Sequence, residues 1–451
     1  MSLNRIALII VSLAAPPLAL ASFSVPLVAA VLTAPQVTAF GADRTAEVTP
    51  DNWQTTLDGW GVVAGEDLYE SLETLFSQVI KPERAIVGRR LTAVAQISTA
   101  TVDATPTDGT YAITIDGITV SFVAVAQTQA QVRDGLIAAI EANAILGPRI
   151  VAVSGGGGIV QMTAAFAGRP FTVSATLDGS ASSEIVVATT TPSVGLHTDL
   201  AQFNAERTDW YFLLETTHDQ NNVIPTASTV QAFARPLFYV AQTDDADVET
   251  SATTDVASVL QDFGYTRTLY LNHDNDDAFL DAATVGRLAP TAPGSATWAN
   301  KELIGVVGRI PTSEAFLVAK NAGWYESFEA ANTALTQHMR VSSGTPADLI
   351  IAADFLQNLV QIRYVEGLRN ADKIPYRGGE GILGAILQGA LDEAAADPYK
   401  IIDPDSIVVT VPKASAQSST DRGNRHFPNI RAQALLTGAV ETLEATIVLT
   451  P

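Results

Sequence analysis

The chain has 451 residues, 47% of them hydrophobic and only 16% charged, a balance that excludes intrinsic disorder and leaves material for several cores. Its 26 Lys+Arg against 48 Asp+Glu give a net charge of −22, which speaks against nucleic acid or an anionic membrane surface as a direct partner. There is no cysteine, so disulfides, thiol catalysis and cysteine-ligated zinc are excluded.

The first residues, MSLNRIALIIVSLAAPPLALASF, have the outline of a secretory signal peptide: Arg5, an apolar run from Ile6 to Ala14, then Ala19-Leu20-Ala21 as a small-x-small site. Taken at face value, that outline gives an exported acidic surface or periplasmic binding protein. The uncharged stretch, however, continues to Ala42, and Pro16, Pro17, Pro26 and Pro35 divide it too finely for a membrane helix. The pieces read better as strands over 5–13 and 25–33, the first belonging to an N-terminal arm over 1–24. A helix is expected over 66–79 and a short strand over 84–90.

Residues 97–195 are rich in Thr, Ala, Gly and Val. Strands are expected over 111–117 and 119–126 around an Asp-Gly turn, a helix over 129–144, and strands over 149–154, 159–165, 170–175 and 184–189. This reads as an inserted β-rich α+β module whose flanks, 96–106 and 189–199, are linker-like. The segments 25–96 and 196–296 then form one discontinuous α/β core. In its second half, helices near 199–207, 227–235 and 254–264 alternate with apolar strands over 209–217, 236–243 and 266–273, the pattern of a parallel sheet under helical cover. From 297 to 444 an α+β domain is expected, with long helices over 346–369 and 380–396, strands over 406–412 and 431–441, and a strand-like arm over 445–451. The fold class is therefore mixed α/β and α+β, in several domains.

No motif commits the chain to chemistry. GGEGILG (378–384) contains GxGxxG but follows NADKIPYR, which is not the apolar strand a phosphate-cradling loop requires; it reads as a helix start with small residues. GGGG (155–158) has no Lys-Ser/Thr after it. NHDNDDAFLD (272–281) lacks the central glycine and closing glutamate of a calcium loop and reads as a solvated loop. His197, His218, His273, His338 and His426 share no metal-ligand spacing, and there is no GxSxG. The reading is a non-enzyme with no cofactor, no metal and no catalytic residue.

Several stretches, in their shared order, resemble contractile phage tail sheath proteins. They are LFSQVIKPERAIVGRR (75–90), TDLAQFNAERTDWYFLLETT (198–217), GYTRTLYLNH (264–273), PGSATWANKELIGV (293–306), VAKNAGWYESF (318–328) and, best of all, GTPADLIIAADFLQNLVQIRYVEGLRNADKIPYRGGEGI (344–382). Phe355 stands where a Trp is frequent, and Arg377-Gly378 where polar or acidic residues are frequent. The segment 97–195 lies outside the resemblance and is similar to decoration modules of virion proteins. What the resemblance implies is a structural subunit of a virion, assembled in the host cytoplasm. It stacks as sixfold rings into a helical sleeve around a tail tube and contracts to drive the tube through an envelope. Its partners would be copies of itself, the tube protein, and baseplate and terminator proteins. Apolar, nearly uncharged termini suit such a device, because an arm added to a neighbour's sheet gains main-chain hydrogen bonds. Ile6, Leu8 and Ile10 are expected to make those contacts in the first arm, and Thr446, Ile447, Val448 and Leu449 in the last. The C-terminal domain is expected to face the tube through Arg363, Arg369 and Lys373.

Overall fold

The computed structural model describes residues 19–177, 185–328 and 333–439. In chain order the elements are β1 (Pro26–Val31), α1 (Ala34–Phe40), β2 (Thr45–Val48), α2 (Trp53–Trp60), α3 (Asp67–Phe76) and β3 (Ala85–Arg90). Next come β4 (Ile97–Val102), β5 (Gly109–Ile115), β6 (Ile118–Ala124), α4 (Gln129–Glu141), β7 (Ile150–Ser154), β8 (Ile159–Ala164), β9 (Val173–Leu177) and β10 (Ile185–Thr191). They are followed by α5 (Leu196–Glu206), β11 (Phe212–Glu215), α6 (Gln220–Ala232), β12 (Phe238–Thr243), α7 (Val256–Phe263), β13 (Thr268–Asn272) and α8 (Leu280–Leu288). The last are α9 (Glu314–Ala319), β14 (Trp324–Phe328), β15 (Thr333–Gln337), α10 (Ala347–Asn370), α11 (Glu380–Ala395), β16 (Val408–Thr410), α12 (Ser419–Gly423) and β17 (Arg431–Gln433). The chain is thus a mixed α/β molecule with several sheets. It forms two compact units, one of residues 1–88, 206–218 and 230–451, the other of 89–205 and 219–229.

The first unit is built on a six-stranded sheet in the order β13-β12-β11-β1-β3-β2. β1, β11, β12 and β13 run parallel, with Pro26 opposite Phe212 and Tyr239 opposite Thr268, and β2 closes the margin antiparallel to β3. Every residue of β11, β12 and β13 is buried, which is why these strands read as unbroken apolar runs rather than as alternations. α7 starts on Asp255, whose side chain accepts from Ser258 N, and stops at Gly264 in the left-handed conformation. α3 and α8 meet at Gly286, where a Cβ would lie 2.4 Å from the Leu75 carbonyl oxygen, so only glycine permits the approach. The opposite margin, β13, is continued by single bridges to Gly323 and Val341.

Charged joints tie the C-terminal half of this unit to the sheet and to the elements that cover it. Asp354 of α10 receives both guanidinium nitrogens of Arg267 and the Tyr211 hydroxyl, the latter at 2.8 Å. Lys320, itself buried, reaches Asp255 Oδ2 at 2.8 Å, and Arg309 pairs with Glu249. At the margin, Arg84 and Arg207 each bridge Glu47 of β2 and Asp209, at 2.6–2.9 Å. Arg207 first of all, against the opposing effect of burial and with help from Arg84, holds the Asp209 carboxyl well below the usual range.

The second unit encloses its own core between two antiparallel sheets, β10-β4-β8-β7 and β6-β5-β9, with α4 packed against both. α4 opens on a capping box of Thr128 and Gln131 and buries Val132, Leu136 and Ile140. Residues 96–106 and 189–199 are not linkers. Ile97–Val102 is an interior strand of the four-stranded sheet, Ile185–Thr191 pairs with it, and α5 begins at Leu196. Thr and Ser give these segments a linker's composition, but Ser98, Ala100 and Val102 alternate into the core as a half-buried strand demands. Two further readings are adjusted: α6 begins at Gln220 and carries Pro225 within it, and the strand expected over 431–441 is β17, three residues long.

Candidate assembly surfaces

In an open α/β sheet, the carboxyl ends of parallel strands are where ligands are commonly held. Here that position is filled by the chain itself. Tyr239 donates to Glu215 Oε1 at 2.5 Å, Gln242 donates to the Asp276 carbonyl at 2.9 Å and accepts from Asp281 N, and Asn272 accepts from Arg309 at 2.5 Å. His218 donates through Nδ1 to the Asp276 carbonyl at 2.5 Å and lies 3.2 Å from Asp281 Oδ1 through Nε2. Burial opposes the charged ring, but the Asp281 carboxylate outweighs it and raises His218 to about 9, so the imidazolium donates on both sides. His218 and Phe279 both hold positive φ, +46° and +48°, with their rings 5.3 Å apart. The acidic run 272–281 is therefore not simply a solvated loop: Asp274 and Asp277 are exposed, whereas Asn272, His273 and Asp281 are buried. Spacing gave no sign of the His218–Asp281 pair, because 63 residues separate its partners.

Of the expected basic residues, Arg363 is paired within the chain and Arg369 and Lys373 are exposed. Arg363 closes a two-pronged fork on Glu393 of α11, at 2.7 and 2.8 Å, and reaches Glu366 at 2.6 Å, so its charge is met within the chain. Arg369 and Lys373 are exposed at the end of α10 and in the connection to α11, and Arg377 in the same connection is exposed as well. No strand precedes α11, so GGEGILG is the helix start that its composition suggests.

α11 lies beside a very small sheet. β16 pairs only with β17 among the described residues, with Val409 opposite Ala432. An open groove of about 430 Å³ runs between Gly381, Gly384, Ala385 and Gln388 of α11 and Val409 and Val411 of the β16 segment. Two short strands are marginal as a sheet on their own. The expected arm residues Ile6, Leu8, Ile10, Thr446, Ile447, Val448 and Leu449 lie outside the described residues.

A scan against protein-family models gives no match, and a search of the curated proteins gives none. Solved structures do match. The sheath complex of an extracellular contractile injection system, PVC, in its contracted state, is similar over 100% of this chain and 96% of that one, at 11% identity and a TM-score of 0.50. The contracted helical sheath of the anti-feeding prophage (AFP) matches over 98% and 96%, at 10% identity and 0.48. The baseplate of the same prophage matches over 57% and 73%, at 11% and 0.40. Along its whole length, this chain has the fold of a contractile sheath protein.

Proposed function

We propose that the chain is the structural subunit of a contractile sheath in a phage-tail-like particle. The observation that carries this reading is the fold likeness over the full chain. Subunits stack as sixfold rings around a tube and shorten together, moving as rigid bodies between two packings, with the energy stored in a kinetically trapped array rather than taken from a fuel. The filled carboxyl end of the parallel sheet supports a mechanical rather than a ligand-converting role. The arm expected over 1–24 ends in a 3-10 turn, Leu20–Ser24, that buries Ser22 and Phe23 in the chain's own core. The strands donated to neighbouring subunits therefore come from 1–18 and 445–451, and the two-stranded β16–β17 sheet is the acceptor its size favours. Arg369 and Lys373 face the tube, with Arg363 acting behind them as the pin between α10 and α11. The further partners are the tube protein and the baseplate and terminator proteins, with assembly in the host cytoplasm and the stroke serving genome ejection in a virion.

Negative-stain microscopy of purified full-length protein tests the reading. Striated sleeves or stacked rings are the expected outcome, and a monodisperse monomer at high concentration overturns it. The tube contact is tested by the double variant Arg369→Glu/Lys373→Glu, which is expected to form sleeves but no longer to co-sediment with assembled tube. Undiminished co-sedimentation removes these residues from the tube face.

A further inference from the structure

None of the seven strands of the second unit, β4 through β10, contains a charged residue. In a chain of net charge −22 this is a marked local exception. Among the described residues, the unit's charges lie outside these strands: at the end of β3 (Arg89, Arg90), on α4 (Arg133, Asp134, Glu141), on α5 (Asp199) and in turns and connections (Asp103, Asp108, Asp116, Arg149, Arg169, Asp219). Exposed sheet margins are ordinarily guarded by lysine, proline or a charge, and these margins have none of the three.

Both sheets turn an uncharged face outward. On the four-stranded sheet the register sets Val186, Thr101 and Ile159 in one row and Thr99, Gln161 and Val153 in the next. Val186 is 67% exposed and Val153 43%. On the three-stranded sheet, Val123 faces Thr110 and Thr119 faces Thr114, with Val123 63% exposed. One face is richer in Val and Ile, the other in Thr and Ser.

We infer that these two different faces bind one another between successive copies of the chain, the four-stranded face of one against the three-stranded face of the next. Two copies of so acidic a chain repel wherever charged surfaces meet, and these faces are where contact escapes that cost. The inference rests on the sheath reading in one respect: subunits of a polar sleeve all point the same way, so a repeated contact joins unlike surfaces and propagates. Size agrees with that setting. Four strands at about 4.8 Å and five residues at about 3.3 Å span about 300 Å², well short of the roughly 800 Å² per partner of a stable free-standing complex. Such a contact forms when subunits are already held close, by effective concentration.

The absence of native cysteine makes cross-linking background-free. The full-length double variant Gln161→Cys/Val123→Cys, treated with a short bis-maleimide at concentrations where the protein self-associates, is expected to give a ladder of dimers, trimers and higher species. Either single variant is expected to give no dimer, and Val123→Cys/Glu141→Cys, with one thiol moved to the outer side of α4, no ladder. Far-UV circular dichroism checks that each variant is folded. Sleeves without a ladder overturn the contact and leave the sheath reading standing. A ladder without sleeves supports the contact while the sheath reading falls. Dimers from Gln161→Cys alone overturn the inference in favour of a symmetric pairing, and neither sleeves nor ladder overturns it outright.

Discussion

His218 is a buried residue whose ionisation couples the fold to pH near neutrality. Its pKa of about 9 lies above the ordinary 6.5, so the folded state holds this proton more tightly than the unfolded chain does. The stabilisation is fully present below the ordinary value and is lost as pH rises from there through about 9. The displacement corresponds to roughly 3 kcal/mol. Thermal melts from pH 6 to 10 are expected to show a fall in Tm across that window, and His218→Gln is expected to flatten it while lowering Tm at pH 6. An unchanged profile in the variant removes His218 as the cause. His338 behaves in the opposite sense. Burial first, then Arg340, lowers it to about 4, so its contribution is present above 6.5 and fades as pH falls towards 4. Between them the two histidines place greatest stability near pH 6–7.

At the level of elements, Gly286 fixes how closely α3 and α8 approach. Gly286→Val forces its side chain onto the Leu75 carbonyl and is expected to destabilise the first unit by about 2–4 kcal/mol, read from urea midpoints. A loss below about 0.5 kcal/mol shows that the helices give way freely. The arms are tested by deletion. Residues 1–18 and 445–451 lie outside the described residues, whereas Ser22 and Phe23 are buried. Either deletion is expected to leave a folded subunit with unchanged circular dichroism that no longer pellets as sleeves, and sleeves that persist remove the arm in question from assembly. The parallel strands β11–β13 were legible because burial on both faces leaves an unbroken apolar run, as in PLFYVAQT. β4 was not, because in ISTATV the outward positions are Ile97, Thr99 and Thr101 and the inward ones include Ser98, which inverts the usual polarity signal. α10 and α11 announced themselves by length. The pairing of Arg363 with Glu393 did not, since its partners lie 30 residues apart and meet only when the two helices fold together.

For the whole molecule, a net charge of −22 on every subunit sets the electrostatics of association. The Debye length shrinks from about 30 Å at 0.01 M salt to about 8 Å at 0.15 M. Pelleting assays across that range are expected to show polymerisation at lower protein concentration as salt rises. The reverse dependence means that ion pairs between subunits outweigh the general repulsion.

The buried joints at Arg267–Asp354 and Lys320–Asp255 carry a mechanical consequence. A sleeve performs work only if its pieces transmit force rather than deform, and a soft seam within a subunit would absorb the stroke. Ion pairs shielded from water resist separation steeply with distance; the first joins α10 to the residue before β13, and the second joins the end of α9 to the start of α7. In the proposed sheath subunit such pairs would be stiff points along a load path, Arg267–Asp354 linking α10 to the start of β13.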